Sequence, residues 1–334
     1  PNVYYGSDPG HPPLSVGLKT INDVTNKINE LDNLAVDFLK AYEMLTPEQF
    51  KEVTKLAKEK GLKVTGHVPL SMDVIGASNA GLNSMEHFRN LELSCASNSD
   101  ELLLQRQQLL ASGKDDKGGV LRSRIHKEQR QIAIENFDLD KANKVLDVLS
   151  KNDTWQIPTL TLNTASKRRP FATKEWQESF TYLPKNVQEQ WLNYINNLKK
   201  TEVTTFNEKY SKWMFDMTKR VHDKGIKIMA GTDTPIYFLT PGRSLHEELA
   251  VLVEAGLSPL EAIKAATKNP AEYFNLENEL GSIAKNNWAD LVILDANPLV
   301  DINNTKKINA VIKQGNYFDR TQLDLLLDQL KTTK

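Results

Sequence analysis

Four residues able to serve a metal ion, directly or after modification, each close a short, mainly apolar run. They are Lys40 after LAVDFL, His67 after LKVTG, His87 after LNSME and Asp233 after IKIMAGT. Imidazole nitrogens and carboxylate oxygens are donors that divalent ions such as zinc accept. One histidine at a strand end is more often a hydrogen-bonded core or loop residue. Two of them, with an acid at a third strand end, strengthen the reading as a ligand set. Asp233 also fits ordinary turn chemistry, because it precedes Thr234-Pro235 and could cap a following helix. Lys40 is the odd member. It shares the strand face of Val36 and Phe38, so an inward Lys40 must bury an ammonium. Such a lysine needs a carboxylate partner or a chemical change. Reaction of the neutral amine with carbon dioxide would give an anionic carbamate able to bridge two metal ions. The alternative is that Lys40 points elsewhere or pairs with Asp37 or Glu43.

The elements that must position these residues alternate. Strand-like runs at 34–40, 62–67, 82–87, 154–160 and 226–233 are separated by amphipathic stretches, which is the α/β rhythm. In TPEQFKEVTKLAKEKG, Thr46 caps, Pro47 takes the first helical position and Gln49 completes a capping box. Phe50, Val53, Leu56 and Ala57 form the apolar stripe, and Gly61 ends the helix. A shorter helix is expected over 71–81. Short strand–helix–strand connections imply parallel neighbours. With no GxGxxG or phosphate loop in the chain, a TIM-like (β/α)8 barrel is favoured over a doubly wound sheet. Active sites of such barrels lie at the C-terminal strand ends, where the four residues stand. Insertions at 95–153 and 161–204 are long, polar and helix-prone. Their charged patches GKDDKGG and SKRRP read as solvated surface, and the insertions are placed to overhang the mouth as a lid. The expected division is a barrel over 1–280, a small β unit over 281–320 and a closing helix over 321–334.

These motifs resemble the amidohydrolase superfamily, in particular its imidazolonepropionase-like and Xaa-Pro dipeptidase (prolidase)-like branch. The resemblance lies in GHV with His67, MEHF with His87, AGTDTP with Asp233, SLHEELAVLVEAGLSPLEAIKAATKNPAEYF and GSIAKNNWADLVILDANPL. It implies that Lys40 matches the carboxylated lysine, His67 and His87 the next two metal ligands, and Asp233 the eighth-strand ligand and catalytic proton shuttle. The cofactor implied is a divalent metal, zinc in most members, as one or two ions that activate a bridging hydroxide. His11 resembles a turn that meets substrate. Arg89 and Tyr237 stand just past His87 and Asp233, where a substrate carboxylate could be met. The implied activity is hydrolysis of an amide bond in a dipeptide, N-acyl amino acid or cyclic amide. The alternatives are a one-metal deaminase and a non-catalytic binding protein on a degenerate barrel. The family's first strand ends in His-x-His, and none of the six histidines here is two residues from another. The expectation is therefore an N-terminally incomplete barrel, completed by a companion N-terminal segment.

Composition narrows the partners. The chain has 334 residues, 40% hydrophobic and 25% charged, and a formal net charge of -1. That balance leaves no electrostatic footprint for nucleic acid. No apolar run approaches the roughly 18 residues of a membrane span. The single cysteine, Cys95, excludes an internal disulfide and reads as a buried small apolar residue. A small-molecule substrate is the expected partner, and a homo-oligomer is compatible with the reading.

Overall fold

The helix expected from TPEQFKEVTKLAKEKG forms at Pro47–Glu59. Thr46 Oγ1 accepts from Gln49 N–H at 3.1 Å while Gln49 Oε1 accepts from Thr46 N–H at 3.0 Å, the reciprocal capping box. Such a cap contributes about 1 kcal/mol. Phe50, Val53, Leu56 and Ala57 are buried, and burying each of the three larger side chains contributes about 1.5–3 kcal/mol. The computed structural model describes residues 2–5 and 15–332, so His11 lies outside the described residues. The chain forms two units, residues 1–157 with 221–227 and residues 158–220 with 228–334.

The first unit is a six-stranded parallel sheet. Its strands are β1 (Asn2–Tyr5), β2 (Ser15–Leu18), β3 (Phe38–Ala41), β4 (Lys63–Gly66), β5 (Ser84–Glu86) and β6 (Trp155–Ile157), in the order β2-β1-β3-β4-β5-β6. The expected strands at 34–40 and 154–160 are shorter than their apolar runs. Register is set locally at Asn83, whose N–H donates to Val64 O and whose Oδ1 accepts from Val64 N–H. Asn83 O also accepts from Trp155 N–H, so one residue fixes three strands. Lys40 then lies opposite Thr65, and Thr65 opposite Ser84. Beyond β6, Gln156 N–H donates to Lys227 O at 2.9 Å, which brings the chain at 226–227 alongside.

Between β5 and β6 the chain forms the helices Ser99–Ser112, Gly118–Glu135 and Leu139–Lys151. The Lys-Asp-Asp-Lys patch at 114–117 is exposed, as expected. The long helices themselves carry buried residues, including Leu102, Leu121, Ile125, Ala133 and Leu146.

In the second unit the polar stretch 161–204 conceals a core. Phe171, Trp176, Phe180, Trp191 and Ile195 pack with Phe238 and Leu239, and Trp176 Nε1 donates to Phe238 O at 2.6 Å. Widely spaced aromatics in a polar background hid this cluster from periodicity. The stretch 258–274 forms two helices, Pro259–Ala266 and Lys268–Tyr273, divided at Thr267, whose ψ of -82 leaves the helical range. The small β unit forms as an antiparallel sheet of β7 (Leu291–Leu294), β8 (Ile308–Lys313) and β9 (Asn316–Phe318). Its tight turn is Gln314-Gly315, with φ of 49 and 80. Two positive φ values are the signature of a turn matched to strand twist. The run 226–233 is not a laddered strand: Ala230 N–H donates to Ala265 O, at the end of Pro259–Ala266, instead of a strand neighbour. Among the described residues no helix is long and apolar enough to cross a membrane.

Candidate metal centre

Parallel strands β3, β4 and β5 end side by side, and their register aligns Lys40, Thr65 and Ser84 in a polar row. Ser84 Oγ donates to Thr65 Oγ1 at 2.7 Å, and Thr65 Oγ1 donates to Glu86 Oε1 at 3.3 Å. One row further along come His67, Glu86 and His87. Gly66 makes the approach of β4 to β3 possible. Its φ is +127, and a Cβ there would lie 2.1 Å from Ala41 O, the carbonyl that accepts His67 N–H at 3.1 Å. His87 departs from strand geometry with φ 60 and donates its N–H to Ile157 O at 2.7 Å. Phe88 and Asn90 continue in positive φ, at 52 and 69. Such residues cost on the order of 1–3 kcal/mol each and persist only where the surroundings over-determine them. Here buried Asn90 does so, donating to Val68 O and accepting from buried Arg106 Nη1 at 2.6 Å.

Among the described residues, His67, Glu86 and His87 offer metal-capable atoms within 4.8 Å of one another. Glu86 Oε2 is 3.6 Å from His87 Nε2, 3.9 Å from His67 Nε2 and 2.6 Å from Lys40 Nζ. The rings of His67 and His87 meet edge to face at 4.9 Å. Lys40 therefore pairs with Glu86, the carboxylate partner that an inward lysine needs. Burial pushes His67 down to about 3 against the opposing pull of Glu43, and burial with the neighbouring His67 lowers His87 well below the usual range. Both imidazoles are neutral at neutral pH, the form that binds metals. The two ring nitrogens of His67 are buried without a hydrogen bond among the described residues. Two neutral imidazoles and a carboxylate, with an orphaned buried nitrogen, fit a divalent ion of the zinc type.

Behind His67 lies Glu43, fully buried. Its Oε1 is 2.9 Å from His126 Nε2, 3.6 Å from His67 Nδ1 and 3.7 Å from Arg89 Nε, and its Oε2 is 3.4 Å from Arg122 Nε. Burial alone would raise its carboxyl, but His126 and His67 outweigh that and hold it well below the usual carboxylate range. Arg122 also reaches the Tyr42 hydroxyl and lies over its ring, and that ring packs 4.3 Å from His67.

Of the sequence-derived site residues, Lys40, His67, His87 and Arg89 come together in the first unit. Asp233 and Tyr237 belong to the second unit. Asp233 is exposed with φ 60, and Tyr237 stacks on Tyr194 at 3.7 Å. His126, in the inserted helix Gly118–Glu135, is buried, because that helix packs its basic face onto Glu43. His246 is half-buried and hydrogen-bonds Thr305 Oγ1 at 3.1 Å, a structural role. The sequence did not mark Glu86 as a site residue, and it offered Glu43 only as a partner for Lys40. Glu86 stands beside His87 in MEHF, but strand alternation assigns adjacent residues to opposite faces. The left-handed backbone at His87 cancels that alternation. Cys95 is buried as expected.

Residues 41–317 match the amidohydrolase family, and the chain belongs to it. The family is metal-dependent, in keeping with the His67–Glu86–His87 cluster. An adenine deaminase of Clostridium botulinum (strain 657 / Type Ba4) is 32% identical over 102 residues, 30% of this chain and 17% of that protein. Ochratoxinase of Aspergillus niger is 38% identical over 99 residues, 28% of this chain and 20% of that protein. The matched stretch is thus a fifth or less of either relative. Among solved structures, a bottromycin amidohydrolase superposes with a TM-score of 0.66 at 18% identity, covering 99% of this chain and 66% of that one. A Xaa-Pro dipeptidase with bound methionine superposes at 0.58 and 19% identity, covering 91% and 60%. These likenesses show the fold, the α/β barrel class expected from the strand–helix rhythm.

Proposed function

We propose that this amidohydrolase-family chain serves a metal-dependent hydrolase that cleaves a carbon–nitrogen bond, most specifically the amide of a dipeptide, N-acyl amino acid or cyclic amide. The observation that carries the reading is the meeting of His67, Glu86, His87 and Lys40 at adjacent parallel strand ends. His67 Nε2, His87 Nε2 and a Glu86 oxygen would hold a divalent ion, zinc in this proposal. Bound there, the ion would supply Lewis acidity, polarising the scissile carbonyl and lowering the pKa of water. The reaction forms one C–O bond, breaks the C–N bond and moves a proton from water to the leaving amine. Asp233 is proposed as the group that carries that proton, supported by the AGTDTP motif and its left-handed backbone. Arg89 and Tyr237 are proposed to meet a substrate carboxylate.

Lys40 has two states with opposite consequences. As an ammonium it neutralises Glu86 at 2.6 Å. As a carbamate it would set a second anion beside Glu86, and the like charges would repel. Carboxylation is therefore coupled to cation binding. A second reading, hydrolytic deamination, is favoured by the local likeness to adenine deaminase. Elemental analysis of the intact protein, with amine release from a panel of N-acyl amino acids and dipeptides and ammonia release from adenine, separates the readings. One or two equivalents of zinc with amine release are expected. A protein that takes up no divalent metal, with Lys40 unmodified by mass spectrometry in bicarbonate, would refute both.

A further inference from the structure

We infer that Glu43, held in turn by His126, is a positioning residue that fixes His67 as its Nδ1–H tautomer and aims the His67 Nε2 lone pair at Glu86 and His87. The inference rests on the metal-binding reading above and deepens it.

Glu43 follows Lys40 by three residues, just past β3. Its own O accepts from Leu70 N–H at 2.8 Å, tying it to the loop after His67. A fully buried carboxylate is an acceptor only. His67 Nδ1, at 3.6 Å, faces it a few tenths of an ångström beyond a hydrogen bond, and a proton on that nitrogen is the only arrangement that does not set two lone pairs against each other.

The support behind Glu43 is directional. The helix Gly118–Glu135 presents Arg122, His126 and Arg130 at four-residue spacing, which places them on one face. Arg130 Nη2 donates to His126 Nδ1 at 3.2 Å, so His126 Nδ1 is the acceptor and its Nε2–H donates to Glu43 at 2.9 Å. Arg130 Nε is held by buried Glu92 at 3.1 Å. The run Glu92, Arg130, His126, Glu43, His67 thus has one consistent set of donors and acceptors. Arg130 and His126 come from the insertion, so 95–153 reaches into the site as a buttress. A carboxylate behind a ligating imidazole orients the ring and raises its basicity, and losing such a partner costs about 10–100-fold in metal affinity.

The test is histidine-resolved ¹⁵N NMR of the metal-free protein at neutral pH, with zinc affinity measured by competition against a chromophoric chelator. Wild-type His67 is expected as Nδ1–H. In Glu43→Leu, which leaves no acceptor at that position, that tautomer should lose its preference and zinc affinity should fall about 10–100-fold. His126→Ala should shift both in the same direction by less. His126→Gln should restore them, since the amide N–H can donate to Glu43. An Nε2–H tautomer in the wild type overturns the inference, as does an unchanged tautomer in a folded Glu43→Leu variant. Should that variant not fold, the wild-type tautomer and the His126→Ala and His126→Gln pair decide. A wild type that binds no zinc would defeat the metal reading alone, because the tautomer is measured without metal.

Discussion

Gly66→Ala tests whether the close approach of β4 to β3 builds the site. An alanine Cβ would sit 2.1 Å from Ala41 O and 3.1 Å from Ala41 C, and the residue would be held at φ +127. The carbonyl cannot retreat without breaking its bond from His67 N–H at 3.1 Å. Backbone strain contributes about 1–3 kcal/mol, overpacking about 1–3 and the lost hydrogen bond about 0.5–1.5, together on the order of 4–5 kcal/mol. Gly61→Ala is the control: its φ is +70, but nothing lies within 4 Å of the added Cβ. Strain alone costs about 1 kcal/mol there. Thermal unfolding should read a fall of roughly 6–7 °C for Gly66→Ala and about 1–2 °C for Gly61→Ala. Zinc affinity, by chelator competition, should drop in the first and hold in the second, since only Gly66 adjoins His67. Two variants within about 1 kcal/mol of each other would refute the reasoning, which requires the collision with Ala41 O to dominate.

Acid and base should act on different parts of the metal-free chain. Burial lowers His67 to about 3 and His126 to about 4, from an ordinary 6.5. The unfolded chain therefore binds more protons below pH 6.5, and each histidine's stability is lost as pH falls from 6.5 toward its folded value, by up to about 1.4 kcal/mol per pH unit. Glu248 has the opposite sign. Burial raises it from 4.5 to about 7, against the pull of the Leu160 and Thr161 N–H groups it accepts from, so its stability is present below pH 4.5 and lost as pH rises through 7. Urea unfolding across pH 4–8 should show His126→Gln flattening the acid side and Glu248→Gln flattening the neutral side. Cys95 is fully buried and burial pushes its thiol up, so the native protein should label with a thiol reagent far more slowly than in denaturant.

Local chemistry was legible wherever neighbours in sequence decide it. Thr46, Pro47 and Gln49 specify a helix start by themselves, and the stripe of Phe50, Val53 and Leu56 specifies its buried face. The helix Ile21–Asn33 and strand β2 went unread, although Thr20 and Asp23 form the same kind of capping box. The aromatic core of the second unit was also hidden, because Trp176, Trp191 and Phe238 join one cluster from well-separated positions with no period to announce them.

The same division runs through the site. The sequence alone determined that Lys40, His67 and His87 stand at neighbouring strand ends, because short strand–helix–strand connections force parallel strands whose ends share one side. Only the tertiary structure decided their company. Glu86 joins His87 because a left-handed backbone overrides strand alternation. Glu43 meets His126 across 83 residues because the basic face of an inserted helix packs onto a buried carboxylate that needs those partners.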